Sequence, residues 1–220
     1  MSKLLQILAV FTKDARIELR TRFGINVVAA FVAASLFLIL FTLRAEQLNP
    51  TPKSGLVWII ILFGSLSALG RSFIAETDTH TYDLLRVYGT GYSVYAGKLV
   101  YNAVFTLIIN VFTFTAYTFL LNMQIVSWMA FFTLLVLGTA GISGVATMTA
   151  AIVSQADRKG AVFSVLSIPL FMPLILLLTR ITKSAFVDGN PFLNEASALF
   201  GFAGTTITAG IILFDFIWED

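Results

Sequence analysis

Residues 99–156 read LVYNAVFTLIINVFTFTAYTFLLNMQIVSWMAFFTLLVLGTAGISGVATMTAAIVSQA and contain no Asp, Glu, Lys, Arg or His. A membrane helix needs about 20 residues to cross the hydrocarbon core, so this stretch is too long for one span. The triplet Asn122–Met123–Gln124 divides it near the middle. We therefore predict two membrane helices, over residues 99–121 and 125–153, joined by a tight turn.

Four further stretches with almost no charge predict spans at about residues 25–43, 55–73, 161–179 and 196–214. The chain is 58% hydrophobic and only 12% charged, whereas soluble domains are about one quarter charged. The sequence thus predicts an all-α fold: one membrane domain over residues 1–220 with six transmembrane helices. A cleaved signal peptide is disfavoured, because the first apolar stretch exceeds the usual core of about 7–15 residues.

Residues 3–22 predict an amphipathic helix lying in the membrane interface. Its apolar residues recur at helical spacing: Leu4, Ile7, Leu8, Phe11 and Ala15. Its charged residues, which include Lys13, Asp14 and Glu18, are interpreted as polar cover. Two roles remain open for this helix, an anchor that sets the topology and a part that moves.

The Lys and Arg residues predict the orientation of the chain in the membrane. With the N-terminus inside, ten of them fall on the cytoplasmic side and four on the opposite side. We therefore expect both termini to be cytoplasmic. The formal net charge of +2 is too small to indicate a nucleic-acid partner.

The sequence lacks the residues and motifs that several kinds of chemistry require. The chain has no cysteine, which excludes disulfides, thiolate metal sites and thioether haem attachment. It contains no GxxxxGK[ST], HExxH or GxSxG motif. No ionisable residue lies at the centre of a predicted span, where ion-coupled transporters usually need one. We expect no enzyme activity and no catalytic, metal or cofactor site, so a partner must supply any energy.

The segment between the second and third spans, residues 71–98, reads RSFIAETDTHTYDLLRVYGTGYSVYAGK. It mixes charged residues with an apolar Leu84–Leu85 pair. Thr81 is suited to begin a short helix, and Gly89 or Gly91 to end it. Such a helix favours docking onto another protein, and an ordinary solvated loop is the open alternative.

Other polar, small and proline residues predict details of the bundle. Pro169 and Pro173 predict a bend in the fifth span. Asn102 and Asn110 are expected to form hydrogen bonds inside the bundle. Small residues in the fourth and sixth spans predict close helix packing; they are Ala140, Gly141, Gly144, Gly201 and Gly204.

The order of these features resembles the membrane subunit of ABC-2-type exporters, and more closely the haem exporter protein B family, CcmB. The resemblance runs over nearly the whole chain. It is strongest in three blocks: GLVWIIILFGSLSALGRSF at 55–73, TYDLLRVYGTGYSVYAGKLVYN at 81–102, and LGTAGISGVATMTAAI followed by ADRKGAVFSVLSIPLFMPLIL within 137–176. The basic turn before the Pro-x-x-x-Pro span is the most family-specific feature.

The resemblance implies a permease of the bacterial inner membrane that pairs as a homodimer. It also implies partners: CcmA-type ATPase subunits that use ATP, the membrane proteins CcmC and CcmD, and the haem chaperone CcmE. Haem would be the substrate or the cargo of the chaperone, and this chain would bind no cofactor of its own. Two alternatives stay open: an ABC-2-type permease for a lipid or glycan, and an assembly platform that transports nothing.

By motif match, the resemblance assigns contact with the ATPase to one group of residues. We refer to residues 76–86 as the coupling segment. Its predicted contact residues are Glu76, Thr81, Asp83, Leu84, Leu85 and Arg86. His80 lies in the same segment, and we interpret it as a loop histidine and not as a haem ligand.

The predicted topology is testable because the chain lacks native cysteine. An Asp83→Cys variant should react with a membrane-impermeant maleimide only after the inner face is opened. A Gln124→Cys variant, on the predicted outer turn, should react in intact cells. Labelling of the Asp83→Cys variant from outside would overturn the predicted orientation.

Overall fold

A computed structural model describes residues 2–42, 49–78, 81, 85–87, 89–154 and 159–219. Its regular elements within those ranges are all helical, which confirms the predicted all-α class. We label the α-helices in chain order: α1 Lys3–Thr21, α2 Phe23–Thr42, α3 Pro50–Leu69, α4 Arg71–Asp78, α5 Gly91–Leu121, α6 Trp128–Val153, α7 Lys159–Lys183 and α8 Leu193–Glu219. A π-helical turn, Ser184–Asp188, follows α7.

Six stretches of the described chain are long and apolar enough to cross a membrane. They are Phe23–Phe41, Thr51–Glu76, Gly91–Leu121, Trp128–Val153, Val162–Asp188 and Leu193–Trp218. The predicted number of spans is therefore confirmed.

Helix α5 begins at Gly91, eight residues before residue 99, where the third membrane span was predicted to begin. The Thr90 hydroxyl caps it by accepting a hydrogen bond from the Ser93 N–H. At 31 residues, the helix is about 46 Å long, which exceeds the roughly 30 Å hydrocarbon core. Lys98 lies in its second turn and does not interrupt it, because lysine is itself a good helix former.

The N-terminal helix packs one of its faces against α5. Leu4 and Leu8 are exposed, at 72% and 56% of their maximal areas, whereas Val10 is buried. A Cβ atom added at Gly97 would lie 2.7 Å from the Val10 Cβ and 2.9 Å from the Ile7 carbonyl oxygen. The inward face of α1 therefore approaches the backbone of α5 very closely, and its position in the membrane interface stays a prediction.

A sharp backbone turn joins α1 to the first span. Arg22 takes the left-handed conformation, with φ of 52°, and its N–H donates to the Glu18 carbonyl at 2.6 Å. This conformation is uncommon for a residue other than glycine. The turn ends α1 and lets α2 begin at the next residue.

Small residues of α6 permit close packing at the centre of the bundle. A Cβ atom at Gly144 would lie 2.9 Å from the Thr206 hydroxyl on α8, and one at Gly141 would lie 2.6 Å from Leu174 on α7. The close packing expected at Gly201 and Gly204 is not seen within the described chain, because neither position has an atom within 4 Å of an added Cβ.

Hydrogen bonds tie the helices together at the end of the bundle opposite Lys98. The Trp58 indole N–H donates to the Thr182 hydroxyl at 2.7 Å. The Tyr117 hydroxyl donates to the Lys53 carbonyl at 2.6 Å. Helix α7 continues through Pro169 and Pro173, and the bend expected there stays a prediction.

A Gly97→Ala substitution should loosen the contact between α1 and α5. The new methyl group would overlap the Ile7 carbonyl oxygen, which cannot rotate away, and such overpacking typically costs about 1–3 kcal/mol. Thermal unfolding of the purified chain in detergent should show the loss. Gly201→Ala is the matched control, and equal stability of the two variants would contradict the close approach.

Candidate functional site

Lys98 is the centre of a buried network of charges near the N-terminal end of α5. Its side chain is 1% exposed. The Nζ atom donates to the Asp14 carboxylate at 3.1 Å, the Glu76 carboxylate at 3.1 Å and the Ser72 carbonyl at 2.6 Å. It also lies 5.1 Å from the centre of the Phe73 ring. Every donor of this ammonium group is thus directed at an oxygen acceptor, as a buried lysine requires.

Glu76 joins this lysine to the coupling segment. It lies near the C-terminal end of α4 and is almost fully buried. One carboxylate oxygen accepts from Lys98, and the other accepts from the Thr81 hydroxyl at 2.6 Å. The Thr81 N–H donates to the Glu76 carbonyl at 3.0 Å. Thr81 of the coupling segment is therefore hydrogen-bonded directly to the buried Glu76.

Helix α1 supplies the second carboxylate and the second cation. Asp14 bonds to Lys98, and Lys13 contacts the carboxylates of both Asp14 and Glu76. Burial disfavours the charged form of Lys13, but the two carboxylates outweigh it and raise the pKa of Lys13 above its ordinary value. These two residues, expected to be polar cover, instead face the bundle.

The four residues Lys13, Asp14, Glu76 and Lys98, named here the ion-pair cluster, carry two positive and two negative charges. Neutrality matters because a buried ion pair that loses one partner leaves a buried charge uncompensated. The cluster joins three elements that are distant in the sequence: α1, α4 and α5. It gives these elements a polar connection that apolar packing does not provide.

The structure places the predicted contact residues unevenly. Glu76 and Thr81 belong to the buried connection, whereas Leu85 is half-buried and Arg86 is exposed. The Leu85 N–H donates to the Thr81 carbonyl at 3.2 Å, and the Gly89 N–H donates to the Leu85 carbonyl at 2.9 Å, as in a short helix. Asp83, Leu84 and His80 lie outside the described residues.

A second contact connects the coupling segment to the last membrane helix. The Arg86 guanidinium lies 5.8 Å from the centre of the Trp218 ring on α8. Cation–π contacts of this kind contribute about 0.5–1 kcal/mol at exposed positions. The coupling segment thus touches both ends of the chain, through the ion-pair cluster on α1 and through Trp218.

Polar side chains of α5 continue from this site into the membrane interior. The Asn102 amide donates to the Thr147 hydroxyl at 2.8 Å, and the Asn110 amide donates to the Thr139 hydroxyl at 3.0 Å. The expected hydrogen bonding of the two asparagines is confirmed, with threonines of α6 as the acceptors. These bonds link α5 to α6 at two levels of the bundle.

Sequence reasoning missed Lys13, Asp14 and Lys98 as members of a site. Lys98 entered the prediction only as a boundary of a charge-free stretch, as one of the cytoplasmic basic residues and as part of a family-like block. A usable signal was nevertheless present, because an isolated lysine directly before a long apolar run needs a carboxylate partner if it is buried. The described residues contain no group of three or more His, Asp or Glu side chains placed to hold a metal ion.

Comparison with protein families matches residues 5–215 to the family model described as CcmB protein. The match covers nearly the entire chain and includes every member of the ion-pair cluster. A comparison with curated proteins found no match.

A Lys98→Met variant should lose stability, because Asp14 and Glu76 would keep Lys13 as their one partner within the cluster. Breaking a buried ion pair in this way costs about 3–5 kcal/mol. The double variant Lys98→Met, Glu76→Gln should lose less than the sum of the single losses.

The matched control is Lys183→Met, because Lys183 is 45% exposed and pairs with Asp188 at 3.3 Å. Its loss should stay below about 1 kcal/mol. Thermal unfolding in detergent micelles measures all of these variants. If the Lys98 and Lys183 variants unfolded at the same temperature, the assigned role of the cluster would be wrong.

Proposed function

This chain belongs to the CcmB protein family, and on that premise we propose that it is the permease subunit of an ABC-type haem export complex. A separate ATPase subunit hydrolyses ATP, and this chain converts the resulting motion into rearrangement of its membrane helices. The output is delivery of haem, or release of the haem-loaded chaperone, for assembly of c-type cytochromes.

The ion-pair cluster is the single observation that supports this mechanism best. One carboxylate oxygen of Glu76 accepts a hydrogen bond from the Thr81 hydroxyl, and the other accepts one from Lys98. A force on the coupling segment therefore reaches α5 through two hydrogen bonds, 2.6 Å from Thr81 to Glu76 and 3.1 Å from Lys98 to Glu76. The same lysine holds Asp14, so α1 moves together with α5.

The cluster resists being pulled apart, and this property suits a coupling element. Separating Lys98 from its carboxylates inside the protein would expose unpaired charges to an apolar surrounding. Moving the three elements as one body avoids that cost. Closure of an ATPase pair beneath the coupling segment would then tilt the spans and bias a two-state arrangement of the bundle.

The proposed assembly follows from the family. Two copies of this chain pair in the bacterial inner membrane with both termini in the cytoplasm, so that the coupling segments face the ATPase subunits. CcmA-type ATPases bind there, and CcmC, CcmD and the chaperone CcmE complete the complex. Haem enters as substrate or cargo, and ATP is bound by the partner subunit.

The test is to reconstitute the complex with its ATPase in proteoliposomes and to compare two types of variant. Glu76→Gln keeps the side-chain shape but weakens the bond to Lys98. Charge reversal at Arg86 or Asp83 alters the predicted contact surface. Both should insert in the membrane, and both should uncouple ATP hydrolysis from the ATP-dependent release of haem-loaded chaperone.

Two measurements separate the outcomes. The Glu76→Gln complex should retain its ATPase subunit after purification, because that residue is buried. Its rate of ATP-dependent release of haem-loaded chaperone should fall at least about tenfold. Glu195→Gln, whose carboxylate lies 3.9 Å from Arg180, is the matched control. Normal coupling in the Glu76 and Arg86 variants would show that the coupling segment and the ion-pair cluster do not have the proposed role. ATP-dependent export of a lipid or glycan would show that haem is not the substrate.

A further inference from the structure

A cavity of about 430 Å³ lies beside the ion-pair cluster, between α1, the start of α2, the junction of α3 with α4, and α5. Its volume falls in the range of about 300–1,000 Å³ that is typical of small-molecule sites. Part of its wall is apolar, formed by Ile17, Leu69 and Phe105. Because α2 and α3 are membrane spans that begin or end here, the cavity lies at the edge of the hydrocarbon layer.

Two opposite charges line this cavity without an ion-pair partner among the described residues. Glu18 accepts a hydrogen bond from the Ile25 backbone N–H at 2.8 Å, and no described cation pairs with it. The Arg71 guanidinium lies 4.6 Å from the centre of the Phe23 ring, and no described carboxylate pairs with it. Asp14 and Glu76 also line the cavity, but their charges are already matched by Lys13 and Lys98.

Two residues that line the cavity each have a buried polar side-chain atom with no hydrogen-bond partner in the described structure. These atoms are the Asn102 side-chain oxygen and the Ser72 hydroxyl. Asn102 is fully buried, and its amide nitrogen is already committed to Thr147. An amide oxygen only accepts hydrogen bonds, and buried polar groups are nearly always paired. The wall therefore lacks a donor, such as an ammonium group.

We propose that this cavity binds a zwitterionic head group that carries a primary ammonium and a phosphate, as in phosphatidylethanolamine. The ammonium group donates to the Glu18 carboxylate and to the Asn102 oxygen. The phosphate accepts from Arg71 at the exposed side. The acyl chains follow the apolar wall into the membrane, so the lipid fills the space between α1 and the bundle.

Native mass spectrometry of the full chain in detergent provides the test, with phosphatidylethanolamine, phosphatidylcholine and phosphatidylglycerol as probes. Choline keeps the positive charge but has no N–H donor. The wild-type chain should retain phosphatidylethanolamine about fivefold or more over either of the others. Equal retention of the ethanolamine and choline lipids by the wild type would overturn the proposal, and that comparison needs no variant.

Two variants assign the ends of the head group. Glu18→Gln should abolish the preference for the ethanolamine lipid over the choline lipid. Arg71→Gln should weaken the binding of both lipids to the same degree, because both contain the phosphate. Glu195→Gln and Arg180→Gln make the same changes outside the cavity and should have no effect. A folded Glu18→Gln chain that keeps the ethanolamine preference would also overturn the proposal.

Free phosphoethanolamine separates a lipid from a soluble ligand. If it raised the unfolding temperature as much as the lipid does at equal concentration, the result would support the head-group site and contradict the proposed contacts of the acyl chains. The experiment uses neither ATPase nor haem, so its outcome is independent of the proposed export function.

Discussion

The need to neutralise Lys98 inside the protein constrains the rest of this structure. An ammonium group that is almost completely removed from water requires carboxylates at hydrogen-bond distance. One comes from Asp14 on α1 and the other from Glu76 on α4. Because these elements are far apart in the sequence, the requirement fixes α1 against α5 and holds the start of the coupling segment on the membrane domain. Gly97, adjacent to Lys98, lets the helices come close enough for these bonds.

The arrangement connects a surface that a partner could reach with the interior of the membrane. Thr81 binds the buried carboxylate, Arg86 reaches the ring of Trp218 on the last helix, and Asn102 continues the polar contacts along α5. The coupling segment is therefore linked by contacts to α1, α5 and α8, and α5 is linked in turn to α6. Apart from Trp218, the residues that form this connection lie within the part of the chain that matches the CcmB family.

The cluster and the neighbouring cavity use the same elements in different ways. The cluster is internally neutral, whereas the cavity presents Glu18 and Arg71, which have no ion-pair partner among the residues described. A head group bound there would lie between α1 and the bundle, beside Asp14 and Glu76 of the ion-pair cluster. The membrane would then contribute to how tightly α1 is held. The exposed leucines on the outward face of α1 provide a further apolar surface for lipid.

The sequence by itself determined the number of spans, the helical class and the family, because these depend on the length and order of apolar stretches and on local motifs. It also located Glu76 and Thr81, but as surface contacts. Only the tertiary structure decided that α1 turns Lys13 and Asp14 inward, and that α5 extends past Lys98 to Gly91. The physical reason is that a charge ends an apolar run in the sequence whether or not it is neutralised. Whether a charge is neutralised depends on residues that only folding brings together.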